Sequence, residues 1–236
     1  MSILQKLSVV TIATAAVLAV ANSANAFTIT TGGTLSGTPA GSDGIKSSVV
    51  GATTIDFNSG LPAPGGLATY TGGALVTGTK ASNYAAPAST ASQKDTSQYL
   101  TIAPKNSGVA GATDTVTITL SQLQNYFGLH WGSVDGYNSI AFYNGANLIK
   151  SFTGADIPGT TASGNQSSPQ DNPYVNFFGQ GANEEFNKIV LKTTGIAFES
   201  DNHAFAQVPE PASILGLLAF GFLGAGSVVK RTSKTA

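Results

Sequence analysis

Thr115-Val116-Thr117-Ile118-Thr119-Leu120 alternates polar and apolar residues without a break. In an extended chain successive side chains point to opposite faces, so Val116, Ile118 and Leu120 form one apolar face and the threonines the other. The same period of two recurs outward from this stretch. It is present in Thr54-Ile55-Asp56-Phe57, Gln98-Tyr99-Leu100-Thr101-Ile102, Tyr126 to Trp131, Ser139 to Tyr143, Leu148 to Phe152, Tyr174 to Phe178 and Glu185 to Lys192. Between Ile140-Ala141-Phe142-Tyr143 and Leu148-Ile149-Lys150, the pair Asn144-Gly145 supplies the positive φ of a tight hairpin. Many short strands joined by Gly, Asn and Pro turns, with no amphipathic helix, predict two packed antiparallel sheets. The expected fold is all-β, a jelly-roll-like antiparallel β-sandwich. Ser121 to Asn125 is expected to form a single helical turn, and Thr153 to Pro173 a long polar loop. Thr28 to Thr53 and Ser59 to Ala91, rich in small residues, read as surface loops or weakly ordered arms.

Composition narrows the function classes. Of 236 residues only 10% are charged, the net charge is -1, and there are 28 Gly, 10 Pro and no Cys. No basic stripe is present to neutralise phosphates, which argues against nucleic acid as a partner. The absence of cysteine excludes disulfides, thiolate metal sites and cysteine nucleophiles. Residues 27–207 carry seven lysines against eleven carboxylates, so the central segment is mildly acidic.

Both ends depart from this pattern. Met1 to Lys6, an apolar run from Leu7 to Val20, and Ala24-Asn25-Ala26 have the three parts of a secretory signal peptide. Cleavage is expected after Ala26, by signal peptidase following passage through the secretion translocon, leaving Phe27 first. At the other end Val208-Pro209-Glu210-Pro211 precedes an uncharged run, Ala212 to Val229, and then Lys230, Arg231 and Lys234. Eighteen residues rise about 27 Å as a helix, enough to cross a hydrocarbon core, with the basic tail left cytoplasmic. The prolines keep the preceding peptide extended, where an enzyme in the bilayer can bind it. The expected organisation is therefore 1–26 signal peptide, 27–207 β-sandwich and 208–236 sorting signal, with membrane attachment through the C-terminal helix before processing.

Val208-Pro209-Glu210-Pro211-Ala212-Ser213, the apolar Ile214 to Ala219, a Gly-rich stretch and Lys230-Arg231 resemble the PEP-CTERM sorting signal of Gram-negative bacteria. That resemblance implies recognition by exosortase, an integral-membrane, cysteine-protease-like enzyme, and delivery to the cell surface or exopolysaccharide matrix. Tyr126 to Asn138, followed by Phe142-Tyr143-Asn144-Gly145 and Ser151 to Asp156, is similar to a family of exosortase-dependent surface proteins of cyanobacteria named after a Nostoc member. The resemblance implies a location and supplies no activity.

Candidate chemistry is sparse. Trp131, the one tryptophan, stands before Gly132-Ser133-Val134-Asp135-Gly136-Tyr137-Asn138. Exposed, Trp131 and Tyr137 would stack on a sugar while Asp135 and Asn138 bond its hydroxyls. Buried, Trp131 would fill the core, Asp135 and Asn138 would cap backbone N–H groups, and Gly132 and Gly136 would supply unusual dihedrals. Aromatic residues at strand ends most often belong to the core. With Phe127, Leu129 and Trp131 inward, His130 is expected outward and solvated. Asp201-Asn202-His203 with Glu199 suggests a hard-cation site, but no calcium-loop spacing accompanies it and no metal or cofactor is expected. No nucleophile elbow, zinc-protease helix, phosphate loop or dinucleotide fingerprint occurs. The expectation is a secreted or surface protein with a non-catalytic structural or adhesive role, or a carbohydrate-binding module for exopolysaccharide.

Overall fold

The computed structural model describes residues 27–209. The signal peptide, Glu210, Pro211, the predicted span and the basic residues Lys230, Arg231 and Lys234 lie outside the described residues. Alternation gives strands along the whole segment: β1 Thr28–Thr31, β2 Thr34–Leu35, β3 Ile45–Lys46, β4 Thr53–Ile55, β5 Ala68–Thr71, β6 Ala74–Thr77 and β7 Gln98–Ile102. They continue as β8 Thr115–Gln124, β9 Tyr126–Gly132, β10 Asn138–Asn144, β11 Asn147–Thr153, β12 Tyr174–Phe178, β13 Phe186–Thr193 and β14 Phe198–Ala206. Helical structure among the described residues is limited to single 3-10 turns, and none of their helices is long and apolar enough to cross a membrane.

Two antiparallel sheets face each other. The larger runs β1-β12-β9-β14-β7-β6, with β4 also paired to β14, and the smaller runs β11-β10-β13-β8-β5. Strand β14 is long enough to pair β7 through Phe198–Ser200 and β4 through His203–Phe205 along one edge, while β9 occupies the other. Between the sheets lie Val116, Ile118 and Leu120 of β8, Phe127, Leu129 and Trp131 of β9, Phe142 of β10, Phe177 of β12 and Phe205 of β14. Removal of this apolar area from water is the main stabilising term. Phe27 also enters this cluster, its ring centroid 4.8 Å from that of Phe142 and 5.8 Å from that of Phe152.

The β10–β11 hairpin closes at Asn144↔Asn147, with Gly145 at φ 59° as its first loop residue. Glycine alone supplies the positive φ there, and Asn144 ends the strand.

Two local expectations need correction. Ser121 to Asn125 does not form a helical turn, because β8 continues as strand to Gln124, which pairs with Phe186 after a register shift in β13. The small-residue stretches are not arms either: they contain β1, β2, β3, β5 and β6. Their short, Thr-rich strands draw stability from long-range partners, as in Thr31↔Val175 and Tyr70↔Ile118, which local composition does not encode.

Candidate functional site

Strands β9 and β14 are buried along their entire length, which an outer sheet face in water would not allow. The cause is a cover made by the β2–β3 hairpin and residues 85–97. Ile45 N donates to His130 Nδ1 (3.3 Å), Asn202 Nδ2 to the Asp43 carbonyl (2.7 Å) and Thr96 N to the Ser42 carbonyl (2.9 Å). Gly44 lies directly against the sheet: a Cβ there would come within 2.9 Å of Asp95 Oδ2, Asn202 Nδ2 and His130 Nδ1. The hairpin reaches the sheet because this residue has no side chain.

His130 is therefore on the outer face, as alternation requires, yet it is enclosed and not solvated. Its Nε2 has no hydrogen-bond partner, and burial pushes its pKa down to about 4. Beneath the same cover Asp201 is opposite His130 and beside Asp95. Burial, and then the neighbouring charge, hold the Asp201 carboxyl well above its ordinary range. Burial likewise raises Asp95, against the bond that its Oδ1 accepts from Ser97 N (2.8 Å). Each of these adjacent buried carboxyls disfavours ionisation of the other, so both give up their protons less readily than a free carboxyl.

The segment considered for a cation does not converge. The register shift between Asp201 and Ala204, with Asn202 at φ 51°, turns His203 into the core. There it bonds Tyr70 Oη and Ser200 Oγ, both at 3.0 Å, and packs edge-on against Phe57. Asp201 remains outside with Asp95, and Glu199 bonds elsewhere. Among the described residues no group of three or more His, Asp or Glu side chains is arranged to hold a metal.

The four sugar-contact candidates separate in the same way. Trp131 is fully buried and stacks on Phe198 (centroids 4.6 Å, 13° between planes). Asn138 is also enclosed, donating through Nδ2 to the Ala197 carbonyl (3.2 Å). Neither can touch a sugar in this conformation. Asp135 is half-buried and Tyr137 is 38% exposed, with its hydroxyl donating to the Ile196 carbonyl (2.8 Å). The turn's unusual dihedral belongs to Ser133 (φ 40°), not to Gly132 or Gly136. Gly132 serves close approach, since a Cβ there would meet Pro87 Cγ at 2.9 Å.

Asp135 and Tyr137 line a cleft of about 350 Å³ at this end of the sandwich. Its other walls come from residues 79–84, from Ser163, Gly164 and Gln166, and from the start of β14 at Glu199. Asp171 fixes the 161–164 wall by accepting from Thr161 N (2.6 Å) and Ser163 Oγ (3.2 Å). Glu199 closes the floor: Oε1 accepts from Ala85 N (2.8 Å) and Oε2 from Ser133 Oγ (3.1 Å). Burial raises its pKa to about 7, with the Asp135 charge adding and the two hydrogen bonds opposing. Asp135 is raised by burial as well.

These values give a pH prediction. The folded pKa of Glu199 exceeds the ordinary 4.5, so ionisation costs stability as pH rises from about 4.5 to about 7, reaching about 3 kcal/mol above that. Glu199→Gln keeps the shape without the charge. It is expected to be more stable than the parent by about 2–3 kcal/mol at pH 8 and to converge with it below pH 4.5. Urea midpoints across this range test the expectation, and a constant difference between the two proteins would contradict it.

The fold and cleft together define an all-β protein of two packed antiparallel sheets, with one outer face roofed by its own loops and a polar cleft at one end. Residues 207–231 match the PEP-CTERM protein-sorting motif, beginning at the residue after β14 ends. This motif indicates exosortase-dependent sorting of an exported protein, with processing in a membrane and secretion context and association with the cell envelope. Gln207, Val208 and Pro209 are the matched residues within the described segment. No curated protein and no solved structure matches the chain.

Proposed function

We propose that the chain is delivered to the cell surface or extracellular matrix, where its sandwich acts without catalysis as a structural or adhesive module that holds exopolysaccharide in the Asp135–Tyr137 cleft. The observation that carries this reading is the cleft itself, polar and open, on a domain joined directly to a sorting motif. A half-exposed tyrosine ring beside a carboxylate and several hydroxyl and amide side chains suits the apolar face and hydroxyl rim of a sugar. The contact set narrows from Trp131, Asp135, Tyr137 and Asn138 to Asp135 and Tyr137.

The non-catalytic part of the proposal is supported by Glu199, whose two carboxylate oxygens are both engaged by the protein. The strand order β7-β14-β9-β12 facing β8-β13-β10-β11 supports a jelly roll, since its successive crossovers between sheets interleave two Greek keys.

Tyr137→Ala tests the adhesive role. Retention of the purified domain on the host's exopolysaccharide is expected to fall at least fivefold, because loss of the stacking ring and its buried area removes about 1–3 kcal/mol. Unchanged retention would remove the cleft from the account, and release of reducing ends from the polysaccharide would make the protein a hydrolase.

A further inference from the structure

The sorting motif is not carried on a free tail where it begins. Val208 N donates to Asn125 Oδ1 and Asn125 Nδ2 donates to the Val208 carbonyl, both at 2.7 Å, so the asparagine amide pairs with this residue as a neighbouring strand would. Asn125 is itself fixed, its N donating to the Ala206 carbonyl (3.3 Å) and its carbonyl accepting from Gly179 N (2.7 Å). The Val208 side chain packs on the cluster of Tyr126, Ala204 and Ala206. From Val208 to Ala212, where the apolar run of the sequence starts, the chain advances four residues and spans at most about 14 Å. With that run read as the membrane span the sequence predicts, the end of the sandwich that holds Val208 is tethered within about 14 Å of the membrane.

Three exposed apolar side chains, including the two most exposed among the described residues, lie at this end, while Tyr137 and Ile196 line the cleft. Val50 is 97% exposed at the tip of a loop whose Val49 and Ala52 pack on the Val208 cluster. Leu148, 56% exposed, follows the Gly145 turn, which bonds Asn187 beside the Phe186↔Gln124 pair, and Leu123 precedes Gln124. The carboxylates nearby are engaged: Glu184 accepts from Gln180 N and Glu185 from Gln207 Nε2, both at 2.7 Å. The cleft lies at the opposite end, because β14 runs from Glu199 at the cleft to Ala206 beside Asn125, about 23 Å of strand.

We infer that, in the unprocessed protein, the Val50–Leu123–Leu148 end of the domain rests on the lipid surface and the Asp135–Tyr137 cleft faces away from it. Apolar side chains at a bilayer interface exchange water for the acyl boundary, and three of them around a short tether fix the tilt of the domain. The processing enzyme then meets the motif at a defined height, with Pro209 as the first residue beyond the Asn125 clasp. The inference rests on the sorting reading and is independent of glycan binding.

The absence of native cysteine makes the test direct. Full-length protein is reconstituted into phosphatidylcholine vesicles with Val50→Cys, Leu148→Cys, Ala81→Cys or Gln166→Cys, each labelled with an environment-sensitive maleimide dye. Nitroxide-bearing lipid is expected to quench positions 50 and 148 at least fivefold more than positions 81 and 166 at the cleft. Equal quenching at all four positions, or stronger quenching at 81 and 166, would overturn the orientation. Flotation of the same samples separates the two readings: protein that fails to float with the vesicles overturns the anchoring itself, whereas protein that floats without the quenching pattern overturns only the orientation.

Discussion

Trp131→Ala is expected to cost the domain about 3–5 kcal/mol, a large share of the stability of a typical domain. The indole is fully buried between the sheets and lies flat on Phe198, so truncation leaves a cavity lined by both sheets. The strand cannot collapse into the space, because Trp131 N donates to the Pro173 carbonyl and Gly132 is wedged against Pro87 and Glu199. No hydrogen bond holds the indole nitrogen, so packing alone fixes the ring. Trp131→Phe should therefore cost much less than Trp131→Ala. Urea unfolding followed by far-UV circular dichroism gives both values. A loss under 1 kcal/mol for the alanine variant would mean that the indole is at the surface, and the sugar-stacking role would return.

The second large effect concerns sorting. Replacing Pro209, Glu210 and Pro211 together by alanine is expected to lower the processed fraction at least tenfold in a host with an active exosortase, with precursor accumulating in the membrane. Proline disfavours helix and the residue before it favours an extended backbone, so alanine here would let the helix predicted for the apolar run extend toward Val208. Folding should be unaffected, since β14 ends at Ala206 and the Asn125 clasp uses the Val208 backbone. An immunoblot of membrane and released fractions distinguishes the outcomes. Normal processing of the triple variant would show that the enzyme reads another part of the tail.

Strands whose two faces differ were legible in the sequence. Thr115 to Leu120 alternates because one face of β8 meets the core and the other meets water. The Gly145 turn followed from local chemistry in the same way. What escaped was everything that depends on a roof. Strand β14 reads Phe-Glu-Ser-Asp-Asn-His-Ala-Phe-Ala and is buried at all nine positions, with two carboxylates where an interior strand would have aliphatic residues. Glu199 is satisfied from far along the chain, by Ala85 and Ser133, while Asp201 faces Asp95 and keeps one oxygen without a partner. His130 failed as a solvated residue for the same reason: alternation gives the face, and only the tertiary cover from Gly44 and Ile45 gives the environment. His203 shows the opposite limit, since a one-residue bulge at Asn202 moves it to the core and no local signal marks the bulge. The cleft was half legible. Its Asp135–Tyr137 turn stands out by composition, but the walls at 79–84 and 163–166 are brought to it by the fold.

On this reading the domain is exported and released from its sorting signal. The most direct test is the intact mass of the protein recovered from the surface and medium of its native host, with peptide mapping of both ends. A species that begins at Phe27 and ends between Val208 and Pro211 is expected. A chain recovered only from the cytoplasm, with residues 1–26 and 212–236 still attached, would contradict it.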